Sequence, residues 1–246
     1  MFIIRFCISL NDLLVMISSS IMIQLRNFTR ALGLNKVIAG FLSSKKYEDR
    51  FGDTMIKQVK PGDIVWDIGA NLGLYTEKFS VQVSPTGKVI AFEPVPSCFD
   101  ELHKKYDLNR LVVLKNIALG AKDSTASMNI ESNPLAATHK IVDAENITSV
   151  NTTLVKVSSA DSIISLDPDI IPNIIKIDVE GYEGQVLDGM KNLLKQQKVR
   201  CIGIEIHFGL LNERHEANRP QAIENLLKEH GFLVSWTDLS HIVATR

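Results

Sequence analysis

From residue 61 onward, short apolar runs alternate with stretches of helical periodicity. That alternation predicts parallel βαβ units in an α/β domain. Ile64-Val65-Trp66 is the first run and stops at Asp67, after which Leu72, Tyr75, Thr76 and Phe79 share one helical face. Lys88 to Phe92 reads as a second strand closing at Glu93-Pro94. Ser97 with Asp100 three residues on marks a helix start, and Phe99, Leu102 and Tyr106 share its face. Leu111 to Leu114 is a third strand, leading into Asn116-Ile117-Ala118, and Ile174 to Ile177 is a fourth, ending at Asp178. Val186, Leu187, Met190, Leu193 and Leu194 then form an apolar stripe that predicts one long helix.

The fifth strand is predicted over Cys201 to His207. Ile202, Ile204, Ile206 and Phe208 point one way, and Gly203, Glu205 and His207 point the other. Arg219-Pro220 opens a further helix that Gly231 stops. Phe232–Thr237 and His241–Thr245 can pair as a closing hairpin. Before this domain, residues 26–60 read as an amphipathic helical cap, and residues 1–25 as an apolar extension whose first 23 residues allow weak membrane contact. Arg5, Asn11 and Asp12 interrupt that extension, and a spanning helix wants roughly 20 nearly unbroken apolar residues. Residues 120–160 turn rich in Ser, Thr and Asn, which predicts an inserted hairpin, Ala126–Ile130 with Thr153–Val157, around a mobile loop. The domain proper is therefore 61–246.

Composition changes this picture only by exclusion. A net charge of −1 supplies no field for a polyanion, so no nucleic-acid partner is expected. Three scattered cysteines form no CxxC pair, which fits a reducing, cytoplasmic setting and argues against a structural zinc.

Ligands of an open parallel sheet bind beyond the carboxyl ends of its strands. Here those ends carry Asp67, Glu93, Asn116, Asp178, and Glu205 with His207. The first strand runs directly into Gly69, Asn71 and Gly73, where glycine lets the backbone approach a ligand and turn sharply. A dinucleotide loop would read G-x-G-x-x-G and hold a pyrophosphate. Asn71 replaces the middle glycine, and the preceding acid, Asp67, would repel a pyrophosphate and suits a ligand carrying ammonium and sulfonium groups. Glu93, 26 positions on, can accept both hydroxyls of an unmodified ribose. Together the loop and this acid imply an adenosine-bearing cofactor.

Four ordered strings are specific: Val65-Trp66-Asp67-Ile68-Gly69-Ala70-Asn71-Leu72-Gly73, Ala91-Phe92-Glu93-Pro94, Asn116-Ile117-Ala118-Leu119-Gly120, and Ile175-Lys176-Ile177-Asp178-Val179-Glu180-Gly181-Tyr182-Glu183. Over roughly residues 61 to 238 they resemble the motifs of FkbM-family methyltransferases. The resemblance implies a Rossmann-like seven-stranded methyltransferase sheet, mostly parallel with the last strand antiparallel and helices on both faces. It implies S-adenosylmethionine as cofactor and an oxygen of a sugar, glycan or other small hydroxylated molecule as methyl acceptor. By position, Asp67, Gly69, Ala70, Asn71 and Gly73 would cradle the methionine part, Glu93 the ribose, and Asn116 to Ala118 the adenine, with Asp178 at the cofactor's edge.

A hydroxyl acceptor must lose its proton, and His207 is the expected base, because a reference pKa of roughly 6.5 leaves it largely neutral at pH 7. Glu205 would orient it, and Asp178 and Glu180 compete for the role. Asp178, Glu205 and His207 could converge on a divalent cation, but no HxH spacing supports one and no metal is expected. Lys176 is expected to snorkel or pair with an acid, without chemistry of its own. The alternatives are a nicotinamide-dependent oxidoreductase, against which Asn71 and the lack of a Tyr-x-x-x-Lys pair count, and a non-catalytic module that keeps the pocket.

Overall fold

The computed structural model describes residues 46–129, 140–142 and 152–246. In chain order the elements are α1 (Lys46–Gln58), β1 (Ile64–Ile68), α2 (Leu74–Val83), β2 (Lys88–Phe92), α3 (Pro96–Tyr106), β3 (Val112–Lys115) and β4 (Ala118–Leu119). There follow β5 (Ser124–Asn129), β6 (Lys140–Val142), β7 (Thr152–Ser158), α4 (Ala160–Leu166), β8 (Ile174–Ile177), α5 (Glu183–Asp188) and β9 (Cys201–Glu205). The chain closes with α6 (Phe208–Glu213), α7 (Arg219–Glu229), β10 (Leu233–Trp236) and β11 (His241–Thr245).

A seven-stranded sheet carries the order β10-β11-β9-β8-β1-β2-β3. The pairs among β9, β8, β1, β2 and β3 are parallel, and β11 enters antiparallel between β9 and β10. The Ile- and Val-rich central strands are buried on both sides, which is what a sheet covered by helices on two faces requires. Alternation sorts their side chains. Trp66, Ile68, Ile90, Ile175, Ile177, Ile202 and Ile204 join the core with Val186 and Leu187 of α5 and Ile223 and Leu227 of α7. Val65, Val89, Ile174, Cys201 and Val243 face the other way, against Phe51 and Met55 of α1 and Phe79 and Val83 of α2.

The part of the expected cap that is described, α1, is thus a core helix of the sheet. Gly203 makes this packing close, since a Cβ there would lie 2.3 Å from the Met55 sulfur. Residues 1–45, including the apolar extension, lie outside the described residues, and among the described ones no helix is long and apolar enough to cross a membrane.

The segment after β3 is more than a hairpin: β4, β7, β5 and β6 make a second, four-stranded sheet. The β5–β7 pairing is antiparallel, as expected for Ala126–Ile130 with Thr153–Val157. The loop predicted between them falls largely outside the described residues.

The long helix expected after β8 is not formed. α5 ends at Asp188, although Met190, Leu193 and Leu194 of the same stripe are fully buried. Its continuation is interrupted because Asp161 intervenes from α4: its N–H bonds to the Gly189 carbonyl at 3.0 Å, and its carboxylate accepts the N–H groups of Asn192 and Leu193. A tertiary contact sets this boundary, which local periodicity cannot register.

Candidate functional site

The carboxyl ends of β1, β2, β8 and β9 open into a cavity of about 660 Å³. Its walls include Gly69–Leu72, Glu93, Ala118, Met128, Lys176, Asp178, Glu180, Tyr182, Glu205 and His241. It therefore spans both halves of the sheet edge, the glycine-loop side and the acidic side.

On the first side the turn is built from backbone. Gly69, Asn71 and Gly73 hold φ of 76°, 49° and 80°. A Cβ on Gly69 would stand 1.9 Å from the Asp178 carbonyl oxygen, so no larger residue fits unless the loop moves. The Gly69 and Ala70 amides both donate to the Phe92 carbonyl at 3.0 Å. Glu93, 5% exposed, accepts the Asn71 N–H at 2.7 Å on one carboxylate oxygen and the Val95 N–H at 2.8 Å on the other. Burial pushes the Glu93 pKa up to about 7, against the pull of those two backbone bonds. The buried Asn71 Oδ1 has no hydrogen-bond partner, so the cavity offers an acceptor waiting for a donor.

Asp67 lies beneath this loop and is not part of the cavity lining. Fully buried, it accepts from the Thr76 hydroxyl at 2.6 Å and lies 3.2 Å from the Lys176 ammonium. Register explains the pairing, since Asp67 of β1 stands opposite Lys176 of β8 on the same face. Lys176 also donates to the Gly69 carbonyl at 2.9 Å and lies 3.5 Å from Asp178. Burial opposes its charge, but Asp67 and Asp178 more than compensate and raise its pKa. The expected pairing of Lys176 with an acid is present, and it joins the loop to the neighbouring strand end.

Gly73 and Asn116 are also outside the lining. Gly73 accepts from the Tyr106 hydroxyl at 2.9 Å. The Asn116 amide donates to the Glu93 and Pro94 carbonyls at 2.9 and 3.2 Å, which fixes the chain leaving β2. Ala70, Asn71, Gly69, Glu93 and Ala118 do line the cavity.

The acidic side is built from side chains. Asp178, Glu180 and Glu205 line the cavity; His207 stands behind them as the residue before α6. Its Nε2 lies 3.3 Å from Glu180, 3.8 Å from Asp178 and 3.9 Å from Glu205. Its Nδ1 is 2.6 Å from Glu183, a fully buried residue at the first position of α5 that also accepts the Gly181 N–H. Burial disfavours the imidazolium, yet Glu183, then Glu180 and Asp178, raise its pKa to about 9. That shift favours the imidazolium at neutral pH, whereas the reference pKa alone led to the expectation of a neutral ring.

Two site residues were missed in the sequence. His241 lines the cavity, with Nε2 3.5 Å from Glu205 and Nδ1 2.9 Å from Asp238. Burial opposes its charge, and Asp238 and Glu205 raise its pKa to about 9. Phe51 of α1 stacks on its ring at 4.4 Å. Its signal was the closing hairpin: β11 paired antiparallel to β9 sets His241 opposite Glu205. Glu183 was signalled only by its place in the Asp178–Glu183 string.

The acids differ among themselves. Burial raises Asp178, with Lys176 opposing, and it is the residue through which the wall meets the loop. Glu205 has its pKa lowered: burial opposes ionisation, and His241, His207 and Lys176 outweigh it. Burial lifts Glu180 to about 7 against the pull of His207, with Asp178, Glu205 and Glu183 adding to the rise. Glu180 also holds φ of 50°, a strain on the order of 1 kcal/mol for a residue with a side chain, followed by Gly181 at 85°. Donor atoms of Asp178, Glu180 and His207 lie within 4.8 Å of one another, close enough to admit a cation.

Comparison with known proteins shows the family of the chain. The methyltransferase FkbM domain matches residues 67–234. The chain is 32% identical over 158 residues to the hexuronic acid methyltransferase AglP of Haloferax volcanii, a match covering 63% of this chain and 61% of AglP. It is 26% identical over 230 residues to methyltransferase sdnD of Sordaria araneosa, covering 81% and 84% of the two chains. A crystal structure of methyltransferase FkbM from Methylobacillus flagellatus shares the fold, with a TM-score of 0.52 at 18% identity over 75% of this chain and 44% of that one.

Proposed function

Because the chain belongs to the FkbM methyltransferase family and its cofactor is S-adenosylmethionine, we propose that it methylates a hydroxyl oxygen of a small, sugar-like acceptor. The observation that carries this reading is a single cavity with two unlike walls, a neutral glycine loop beside Glu93 and a row of carboxylates at the ends of β8 and β9.

The residues present fit the cofactor. Asn71 Oδ1, buried and unpartnered, suits a donor such as its ammonium group. Glu93 spends one bond per carboxylate oxygen on backbone and keeps further lone pairs for ribose hydroxyls. Ile117, Ala118, Leu119 and Met128 offer an apolar surface to a purine. Asp67 acts at one remove, bracing α2 through Thr76 and the loop through Lys176. Gly73 and Asn116 likewise hold the backbone from which Asn71 and Glu93 reach the cavity.

When bound, the cofactor supplies a methyl group on a sulfonium, already a good leaving group. The protein's share is to hold an acceptor oxygen in line and keep water out, where orientation contributes roughly 7–11 kcal/mol. Asp178, Glu180 and Glu205 accept hydrogen bonds from the acceptor's hydroxyls, and one of them takes the proton that must leave, an effect of roughly 10²–10⁴-fold. His207 and His241 are the cations that keep these acids together.

The carboxylates also bear on acceptor class. AglP is named for a hexuronic acid, and the chain spans 61% of its length. Here an acceptor carboxylate would meet Asp178, Glu180 and Glu205 and be repelled, whereas a hydroxyl would be held.

The test is calorimetry with S-adenosylhomocysteine, followed by a radiolabelled methyl-transfer screen of glucose, galactose, UDP-glucose, UDP-galactose and the matching uronic acids. We expect saturable binding and label on a neutral sugar. Absence of binding, or label only on uronic-acid carboxyls, would overturn the proposal.

A further inference from the structure

We propose that Glu180 is the general base of the reaction, aimed into the cavity by the His207–Glu183 pair behind it. This rests on the hydroxyl-acceptor reading above and adds the identity of the group that takes the proton.

Three carboxylates line the acidic wall, and their partners separate them. Asp178 is tied to Lys176 at 3.5 Å, within the buried network that fixes the glycine loop. Glu205 lies between two imidazoles, 3.5 Å from His241 and 3.9 Å from His207, and His241 is backed in turn by Asp238 at 2.9 Å. A carboxylate held so firmly as an anion is a weak proton acceptor but a good hydrogen-bond acceptor for a hydroxyl. Glu180 lies 3.3 Å from the His207 ring, which is fixed from behind by Glu183 at 2.6 Å.

Electrostatics point the same way. The environment lowers the Glu205 pKa and lifts that of Glu180 to about 7, burial being the largest cause for Glu180. Two carboxyl groups on one wall whose affinities for a proton are driven apart have divided the tasks of binding and proton transfer. Glu180 and Gly181 take left-handed backbone just beyond β8, and the Glu180 side chain lines the cavity.

The step balances. The acceptor O–H and the methyl C–S bond break; an O–C bond and a carboxyl O–H bond form. The C–S electron pair stays on sulfur, and the proton resides on Glu180 until solvent removes it.

The experiment uses the full chain and whichever of glucose, galactose, UDP-glucose or UDP-galactose turns over fastest. For Glu180→Gln we expect kcat to fall by 10²–10⁴-fold, with KM for S-adenosylmethionine and calorimetric affinity for S-adenosylhomocysteine within twofold of wild type. Glu180→Asp, which keeps the carboxylate, is expected to recover at least tenfold over Glu180→Gln. Retention of kcat within threefold in Glu180→Gln, or a larger loss in Asp178→Asn or Glu205→Gln, would overturn the assignment. So would a wild-type rate abolished by EDTA and restored by Mg²⁺ or Mn²⁺, which would make Asp178, Glu180 and His207 ligands of an ion. If wild-type protein binds S-adenosylhomocysteine but methylates none of the four sugars, the acceptor reading fails and this assignment with it. A wild-type rate lost only in Glu180→Gln leaves both standing.

Discussion

The two walls of the cavity are made by different means. The glycine-loop wall is a backbone structure whose amides are spent on its own chain, the Gly69 and Ala70 N–H groups on Phe92 and the Asn71 N–H on Glu93. The acidic wall is a side-chain structure in which Asp178, Glu180 and Glu205 are held apart and together by Lys176, His207 and His241. The first is fixed largely by backbone conformation, with Glu93 as its titratable member. The second is fixed by charge and can be tuned one residue at a time.

Lys176 touches both walls, at the Gly69 carbonyl and beside Asp178, so its removal should break the comparison outright. Lys176→Met leaves Asp67 buried without its cation and frees Gly69, and should cost about 3–5 kcal/mol in urea unfolding, with cofactor affinity falling alongside. Equal stability in mutant and wild type would mean that the walls are independent.

Glu93→Ala addresses the first wall alone. It removes the acceptor of two loop amides and any ribose contact, about 1.5–3 kcal/mol, or roughly ten- to a hundredfold in S-adenosylhomocysteine affinity by calorimetry. Unchanged affinity would dismiss Glu93 as a cofactor residue.

The acidic wall should reveal itself through pH. His207 and His241 have folded pKa values raised from 6.5 to about 9. Their contribution is complete below pH 6.5 and is lost as pH rises through 9. Glu93 and Glu180, both lifted to about 7, act in the same sense, their share being present below 4.5 and lost as pH passes 7. Unfolding free energy should therefore drop by several kcal/mol between pH 6.5 and 9.5. His241→Asn should flatten that slope, and a stability that climbs over this interval would contradict the charge pattern.

The smallest expected effect concerns the acceptor. A neutral sugar should outpace its uronic acid by about tenfold in kcat/KM, about 1.4 kcal/mol, with the margin shrinking in Glu205→Gln. A uronic acid that competes equally in the label assay would mean the carboxylates do not face the acceptor.

How much of this was legible in the chain depended on range. β2, β8 and β11 were placed to the residue, because Lys88–Phe92, Ile174–Ile177 and His241–Thr245 each end in turn or polar signals. The glycine loop and Glu93 were legible because a local motif makes them. The helix after β8 was overestimated because Asp161, distant in sequence, ends it. His207 was placed beyond the right strand, but the shift of its pKa was not legible, because it comes from Glu183, Glu180 and Asp178 rather than from its own ring. His241 was overlooked because only the register of β11 on β9 brings it beside Glu205.

The stacking of Phe51 on His241 has a practical bearing on how the domain is delimited. The residues that match the family profile run from 67 to 234, yet the ring that faces Glu205 and the ring that supports it come from beyond both of those limits. A version trimmed to the recognised boundaries would retain the glycine turn and Glu93 while shedding a histidine and its prop. It would lose the contacts that hold Glu205 from the side of β11 and α1.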